Sequence, residues 1–252
     1  DTLETVRDTS LLAEAAIAEA VAFSQTELQQ RFGVPRGRHS GAAQQLIVLA
    51  MGKLGARELN VSSDIDLIFA YPEAGQTDSA ERPVSNEEFF TRVGQAVINA
   101  LDQVTAEGFV FRVDMRLRPY GDSGALALNF DAMEEYYQDQ GRDWERYAMI
   151  KARVIAGDRA AGERLLEGLR PFVYRRYLDY SVVEAIRGLK LAIERELHRK
   201  GMEHNIKLGP GGIREIEFIG QAFQLIRGGR EPALQVRPIQ PVLAALQDGG
   251  YL

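Results

Sequence analysis

Asp64 and Asp66 stand two residues apart in Ser63-Asp64-Ile65-Asp66-Leu67-Ile68-Phe69. In an extended strand, residues i and i+2 project from one face roughly 6.5 to 7 Å apart, so this pair could converge on metal ions. A strand that sinks Ile65, Leu67, Ile68 and Phe69 into a core carries two carboxylates at a cost unless cations meet them. Upstream, Gly52-Lys53-Leu54-Gly55 offers backbone N–H groups and one ammonium that could meet phosphate oxygens. A third carboxylate, Asp114, precedes Arg116 and Arg118, whose planar guanidinium groups match phosphate in a two-pronged way. Each feature alone has a plain alternative: a solvated strand end, an ordinary turn, a surface acid paired to an arginine. The three histidines, His39, His198 and His204, lie near no Ser or Asp motif, which leaves a hydrolase triad or a zinc site little support. Oxygen-only ligands favour a hard cation, Mg2+ or Mn2+. The chemistry these residues could do together is phosphoryl or nucleotidyl transfer. Two ions about 3.5 to 4 Å apart would stabilise the attacking and leaving oxygens at phosphorus.

The elements that must position these residues are legible in the apolar spacing. Ser10 to Phe32 reads as an Ala- and Glu-rich helix that stops before Gly33-Val34-Pro35. Residues 33–41 and 75–83 read as loops. Leu46 to Met51 is a short apolar run suited to a buried strand, and 63–69 is the second strand. Ser85-Asn86-Glu87-Glu88 opens a helix with apolar spacing through Leu101. Phe109 to Leu117 alternates in strand period, with Phe109, Phe111 and Val113 on one face and Val110, Arg112 and Asp114 on the other. Residues 125–129 add a further strand. Beyond 130 the pattern turns helical, over 131–140, 143–156, 158–169, 181–203, 211–228 and 238–248. The reading is an α+β protein: a small mixed sheet flanked by helices over 1–130, followed by a helical-bundle domain over 131–252.

Composition narrows the function classes. With 252 residues, 45% hydrophobic and 26% charged, the chain is ordinary globular material. It has no cysteine, so disulfides and thiolate chemistry are excluded. A net charge of −6 argues against nucleic acid as a partner, because duplex binding needs clustered Lys and Arg over an extended face. No run of 18 apolar residues and no charged-then-apolar leader is visible, so membrane and secretion are not expected and the cytoplasm is. A start at Asp1 and a stop at Leu252 read as part of a longer protein.

A glycine turn followed by Asp-hydrophobic-Asp-hydrophobic and a distant third Asp resembles the nucleotidyltransferase superfamily that includes DNA polymerase beta. Lys53 departs from it, where many members carry Ser or Gly. The wider set is more specific. It comprises Gly52-Lys53-Leu54-Gly55, Glu58-Leu59-Asn60, Ser62 to Leu67, Arg112 to Pro119, Gly141 to Arg153 and Lys207 to Phe218. From about residue 45 to the end, these motifs resemble the bacterial bifunctional glutamine synthetase adenylyltransferase/adenylyl-removing enzymes. Asn60, Ile65 and Trp144-Glu145-Arg146-Tyr147-Ala148-Met149 look like the N-terminal, adenylyl-removing half.

That resemblance implies phosphorolysis: inorganic phosphate displaces the tyrosyl oxygen of adenylylated glutamine synthetase and releases ADP. It implies Asp64, Asp66 and Asp114 as catalytic, metal-binding residues. Gly52, Lys53, Ser63, Arg116, Arg118, Arg142, Lys151, Arg153 and Lys207 are implied for nucleotide and phosphate. Lys207 to Ile213 is read as an anion site at a helix start. Implied partners are the synthetase, a PII-type signalling protein, ADP or ATP, and a covalently linked second nucleotidyltransferase half. The competing readings are adenylylation of the synthetase from ATP, and a docking module for the synthetase or the PII protein.

Overall fold

The computed structural model describes residues 1–175 and 211–252, and between them positions 184, 187, 188, 190, 191, 195 and 199. Helix α1 (Thr2–Phe32) opens with Asp1, whose carboxylate accepts the Leu3 N–H at 3.2 Å, and stops at Gly33, which adopts φ 80°. It starts eight residues before the expected Ser10, since no breaker stands between the cap and that point. Ala13, Ile17 and Val21, spaced by four, form its buried stripe.

The sheet elements follow: β1 (Pro35–Gly37), β2 (Ile47–Ala50), the short helix α2 (Gly52–Gly55), β3 (Ile65–Tyr71), β4 (Gly75–Thr77), α3 (Asn86–Asp102), β5 (Val113–Asp114) and β6 (Ala127–Asn129). After these come α4 (Phe130–Asp139), α5 (Asp143–Met149), β7 (Arg153–Ala156) and α6 (Arg159–Val173). The main sheet runs β5-β3-β2-β7, with β6 also on β3. Strand β2 is antiparallel to β3 and β7, whereas β5 and β6 run parallel to β3. Ile65, Leu67, Phe69 and Tyr71 enter one core with Ala13 and Ile17 of α1 and with Phe89, Phe90 and Val93 of α3. Helix α6 lies on the other side of the sheet, so close that a Cβ on Gly162 would stand 2.7 Å from Val154 and 3.0 Å from Ile47. Ser85 caps α3 by accepting the Glu88 N–H at 3.1 Å, as its sequence predicts.

Three expectations change. The loops 33–41 and 75–83 contain an antiparallel ribbon, β1 with β4, in register Pro35 to Thr77. The strand expected over 109–117 shrinks to Val113–Asp114, because Thr105 and Gly108 close a turn just before it and leave Phe109 and Val110 exposed. The helix expected over 143–156 ends at Met149, and Arg153–Ala156 extends along β2 as strand β7, in keeping with its β-branched Val154 and Ile155.

That return to the sheet also corrects the expected single boundary near 130. One compact unit comprises Asp1–Gln140 and Lys151–Leu169, and the other Gly141–Ile150 and Arg170–Leu252. In the second unit the described elements are α5, α7 (Ile213–Arg227), α8 (Ile239–Asp248) and a 3-10 turn at Pro232–Leu234. Leu234, Val242 and Leu246 form a small core there. Arg146 is buried in the same unit and donates to the carbonyls of Phe172 at 2.9 Å and Val173 at 3.3 Å, while pairing with Asp143 at 3.2 Å. The expected helix over 181–203 falls mostly, and Lys207 wholly, outside the described residues. No helix among the described residues is long and apolar enough to cross a membrane.

Candidate active site

Strand alternation sorts β3 cleanly. The odd-numbered residues from Ile65 to Tyr71 face the α1/α3 core, which sends Asp66 to the opposite face. Parallel pairing of β3 with β5 sets Ile65 beside Val113 and Asp66 beside Asp114. The Ile65 N–H donates to the Arg112 carbonyl at 2.9 Å, which fixes that register. Asp64, one step outside the strand, completes the acidic group, and its loop is pinned from behind by Ser10, whose hydroxyl accepts the Leu59 N–H at 3.1 Å. Ser63 beside it donates its hydroxyl to Asn60 at 2.6 Å.

Charge is unevenly balanced across the three acids. Asp64 pairs with Arg112 at 2.5 Å, and Arg112 also donates to the Ser62 carbonyl at 2.8 Å and lies over the Phe109 ring at 5.8 Å. Asp114 accepts the backbone N–H of Arg116 at 2.8 Å and its Nε at 2.9 Å, and pairs with the guanidinium terminus as well. Those hydrogen bonds outweigh burial and hold the Asp114 carboxyl below the usual range. Among the described residues no cation forms an ion pair with Asp66, and the charge of Arg116 acts on it only more weakly than the neighbouring acids do. Burial first, then the neighbouring charges of Asp114 and Asp64, push its pKa up from 3.8 to about 6. Among the described residues no three acidic or histidine side chains form a ready ligand cluster, so the expected three-carboxylate cage is not preformed. The fit to a divalent cation rests on Asp66: a half-buried carboxylate, flanked by two others and lacking a positive partner, is stabilised by a hard cation.

The glycine turn is built against this carboxylate. Gly52 adopts φ +51°, and a Cβ on it would stand 2.6 Å from Asp66 Oδ2. Only glycine combines that conformation with that approach. Lys53 follows within the turn. Gly55 is crossed by the chain entering β7: a Cβ there would stand 2.0 Å from the Lys151 carbonyl. Lys151 and Arg153 are buried from that same crossing. Lys151 reaches Glu58 at 3.4 Å. Arg153 donates to the carbonyls of Gly55 at 2.9 Å and Leu54 at 2.8 Å, and pairs with Glu14 at 2.6 Å.

The structure therefore brings Gly52, Asp64, Asp66, Asp114 and Arg116 together, with Ser63 adjacent. Lys151 and Arg153 brace the turn from beneath. Arg118 binds its own loop, donating to Met115 O at 2.8 Å. Arg142 begins α5 in the other unit, where its N–H donates to Glu145 at 2.8 Å. At the start of α7 the Gly211 N–H is taken by Glu215 at 2.6 Å, and Glu215 pairs with Lys190 at 3.0 Å. Arg112 was not among the expected site residues. Its signal was its place two residues before Asp114, on the same face of the alternating stretch.

A small mixed sheet with carboxylates on neighbouring parallel strands, beside a glycine turn, is the architecture of a nucleotidyltransferase-like domain. A family model described as Glutamate-ammonia ligase adenylyltransferase matches residues 1–168, and one described as GlnD PII-uridylyltransferase matches residues 187–252. The chain belongs to the glutamate-ammonia ligase adenylyltransferase family. It is similar to curated proteins named bifunctional glutamine synthetase adenylyltransferase/adenylyl-removing enzyme. The one from Pseudomonas putida is 65% identical over 99% of this chain and 26% of the relative. Those from Pseudomonas aeruginosa and Nitrosococcus oceani are 64% and 61% identical over 99% of this chain, and 25% and 26% of their own length. The chain thus spans about a quarter of the length of these relatives.

Proposed function

We propose that this chain removes AMP from adenylylated glutamine synthetase by phosphorolysis, as the N-terminal half of a bifunctional protein, and so takes part in the control of nitrogen assimilation. In this reading an oxygen of inorganic phosphate attacks the AMP phosphorus, the bond from phosphorus to the tyrosyl oxygen breaks, and that oxygen takes a proton. The products are ADP and unmodified enzyme. The observation that carries the proposal is the Asp66 carboxylate, set between two other acids and, among the described residues, in no ion pair of its own. The relatives' printed name includes adenylyl removal beside adenylyl transfer, and the resemblance of Trp144 to Met149 to the adenylyl-removing half supports the choice between the two.

Asp64, Asp66 and Asp114 would hold Mg2+ or Mn2+. Bound there, the ion supplies positive charge to the oxygens gaining and losing bonds at phosphorus. Everything else falls to the chain's own residues. Arg116 and Arg112, already at the acids, would offer positive charge to an approaching phosphate, which as an anion meeting an anion needs it. A tyrosyl oxygen with a pKa near 10 leaves without a histidine acid, consistent with the absence of histidine from these motifs. Gly52 keeps Asp66 in place, and Arg153 braces the turn that carries Gly52.

A PII-type protein is the proposed regulatory partner. Its support is the match of residues 187–252 to a model whose description names a PII-modifying enzyme. The helical bundle proposed for the later part of the chain would carry that contact. The second nucleotidyltransferase half and a cytoplasmic location belong to the same reading. The test is ADP release from adenylylated synthetase supplied with phosphate and Mg2+. ADP with wild type and none with D66N is the expected result. AMP transfer from ATP onto unmodified synthetase, without ADP release in the first assay, would replace this proposal with the adenylylating one.

A further inference from the structure

Two of the three acids are paired to arginines that face solvent, and among the described residues the third has no ion pair. The Arg116 side chain is 74% exposed, while the Asp114 side chain it holds is 14% exposed. Arg112 and Asp64 are both about half exposed. Water competes for both partners of the Arg112–Asp64 pair and for the guanidinium side of the Arg116–Asp114 pair, which keeps such pairs weak. A divalent ion competing for the same carboxylates meets little resistance from them, and once it binds, two guanidinium groups lose their partners beside the place where phosphate must sit. Guanidinium groups pair as well with phosphate as with carboxylate.

We infer that Arg112 and Arg116 are exchangeable counter-cations: they neutralise Asp64 and Asp114 while the site lacks metal, and pass to the substrate's phosphate oxygens when metal takes the carboxylates. The inference rests on the proposed reading of the three acids as metal ligands. The two arginines differ in how they are tethered. Arg112 keeps its bond to the Ser62 carbonyl and its place over Phe109 when its bond to Asp64 opens, so it stays at the rim of the site. Arg116 keeps only its backbone tie, since its N–H remains on Asp114 Oδ1 and its side chain is otherwise exposed. That same N–H holds the Asp114 carboxylate in orientation after the guanidinium leaves.

The pattern requires opposite effects on two ligands, which a purely structural ion pair does not give. Free Mn2+ is titrated with the whole chain by electron paramagnetic resonance, and ADP binding at saturating Mn2+ is followed by calorimetry. R112Q and R116Q are compared with wild type, D66N and R92Q. Arg92 pairs with Glu88 on α3, away from the acids, and controls for the loss of one positive charge. R112Q and R116Q are expected to bind Mn2+ about two- to fivefold more tightly, the strength of an exposed ion pair, and ADP about tenfold more weakly. Equal tightening in R92Q would reduce the effect to net charge and overturn the exchange. Mn2+ affinity that is unchanged or weaker in R112Q and R116Q, with D66N unable to bind, would also overturn it while leaving the acidic site standing. Failure of wild type to bind Mn2+, or full binding by D66N, would defeat the metal-site reading itself.

Discussion

Replacing Asp66 with Asn is expected to stabilise the metal-free protein near neutral pH and to have little effect near pH 4. The sign follows from the carboxyl's environment. Burial, Asp114 and Asp64 raise its pKa from 3.8 to about 6, so between those values the folded chain binds more protons than the unfolded one. Stability therefore falls as pH rises through that window, and the penalty is complete above it. The displacement corresponds to on the order of 3 kcal/mol, an upper figure because the side chain retains some water contact. Asn keeps the shape and removes the charge. For a unit of this size each kcal/mol shifts the midpoint by roughly 2–4 °C, so D66N is expected to melt about 4–10 °C higher than wild type at pH 7.5. The assay is thermal unfolding by circular dichroism at pH 4 and 7.5, with a chelator present and again with Mn2+. Mn2+ is expected to raise the wild-type midpoint and leave D66N unmoved. A D66N protein that melts lower than wild type at pH 7.5, or shows the same difference at both pH values, would refute the reasoning.

The glycine turn and its brace give two further predictions. G52A sets a methyl group 2.6 Å from Asp66 Oδ2 at φ +51°, and is expected to cost about 1–2 kcal/mol in denaturant unfolding and to weaken Mn2+ binding; unchanged Mn2+ affinity would count against the packing argument. R153A removes the guanidinium donors from the carbonyls of Leu54 and Gly55, the former keeping the Arg57 N–H, and leaves Glu14 without its main partner, at an expected cost of about 3 kcal/mol. Burial acts to raise the Glu14 pKa, but Arg153 and Arg57 hold it below 4.5. The stability this pair contributes is therefore present above that value and fades as pH falls through the lower folded one. A wild-type advantage over R153A that does not shrink below pH 4 would contradict this.

Much of the site was legible in the sequence because strand alternation is a local rule. Ser63 to Phe69 announces a strand, its buried face and its acidic face, and the same period puts Asp114 opposite Val113. The pairing of Asp66 with Asp114 was not written locally, since it depends on the register of β5 against β3 across nearly fifty residues of chain. Strand β7 escaped for a related reason: Arg153-Val154-Ile155-Ala156 is a four-residue element directly after a helix, and only its antiparallel partner β2 distinguishes it from a further helical turn. With β7 misread, the domain boundary moved too early. The resemblance implies Lys151 and Arg153 for phosphate; the partners the fold gives them are Glu58, just after the glycine turn, for Lys151, and Glu14 of α1 with the Leu54 and Gly55 carbonyls for Arg153. Gly52 was read for the N–H groups it exposes. Its structural reason is the carboxylate packed against its Cα, which no pattern within the turn reveals.

The proposed chemistry needs a divalent ion held at Asp66 between Asp64 and Asp114, with a phosphate beside it. Anomalous diffraction from crystals of this chain soaked with Mn2+ and ADP tests this most directly. An anomalous peak is expected within coordination distance of an Asp66 carboxylate oxygen, with Arg112 and Arg116 turned toward the ADP phosphates. No peak at Asp66, or one bound elsewhere while Asp64 and Asp114 keep their arginines, would contradict it.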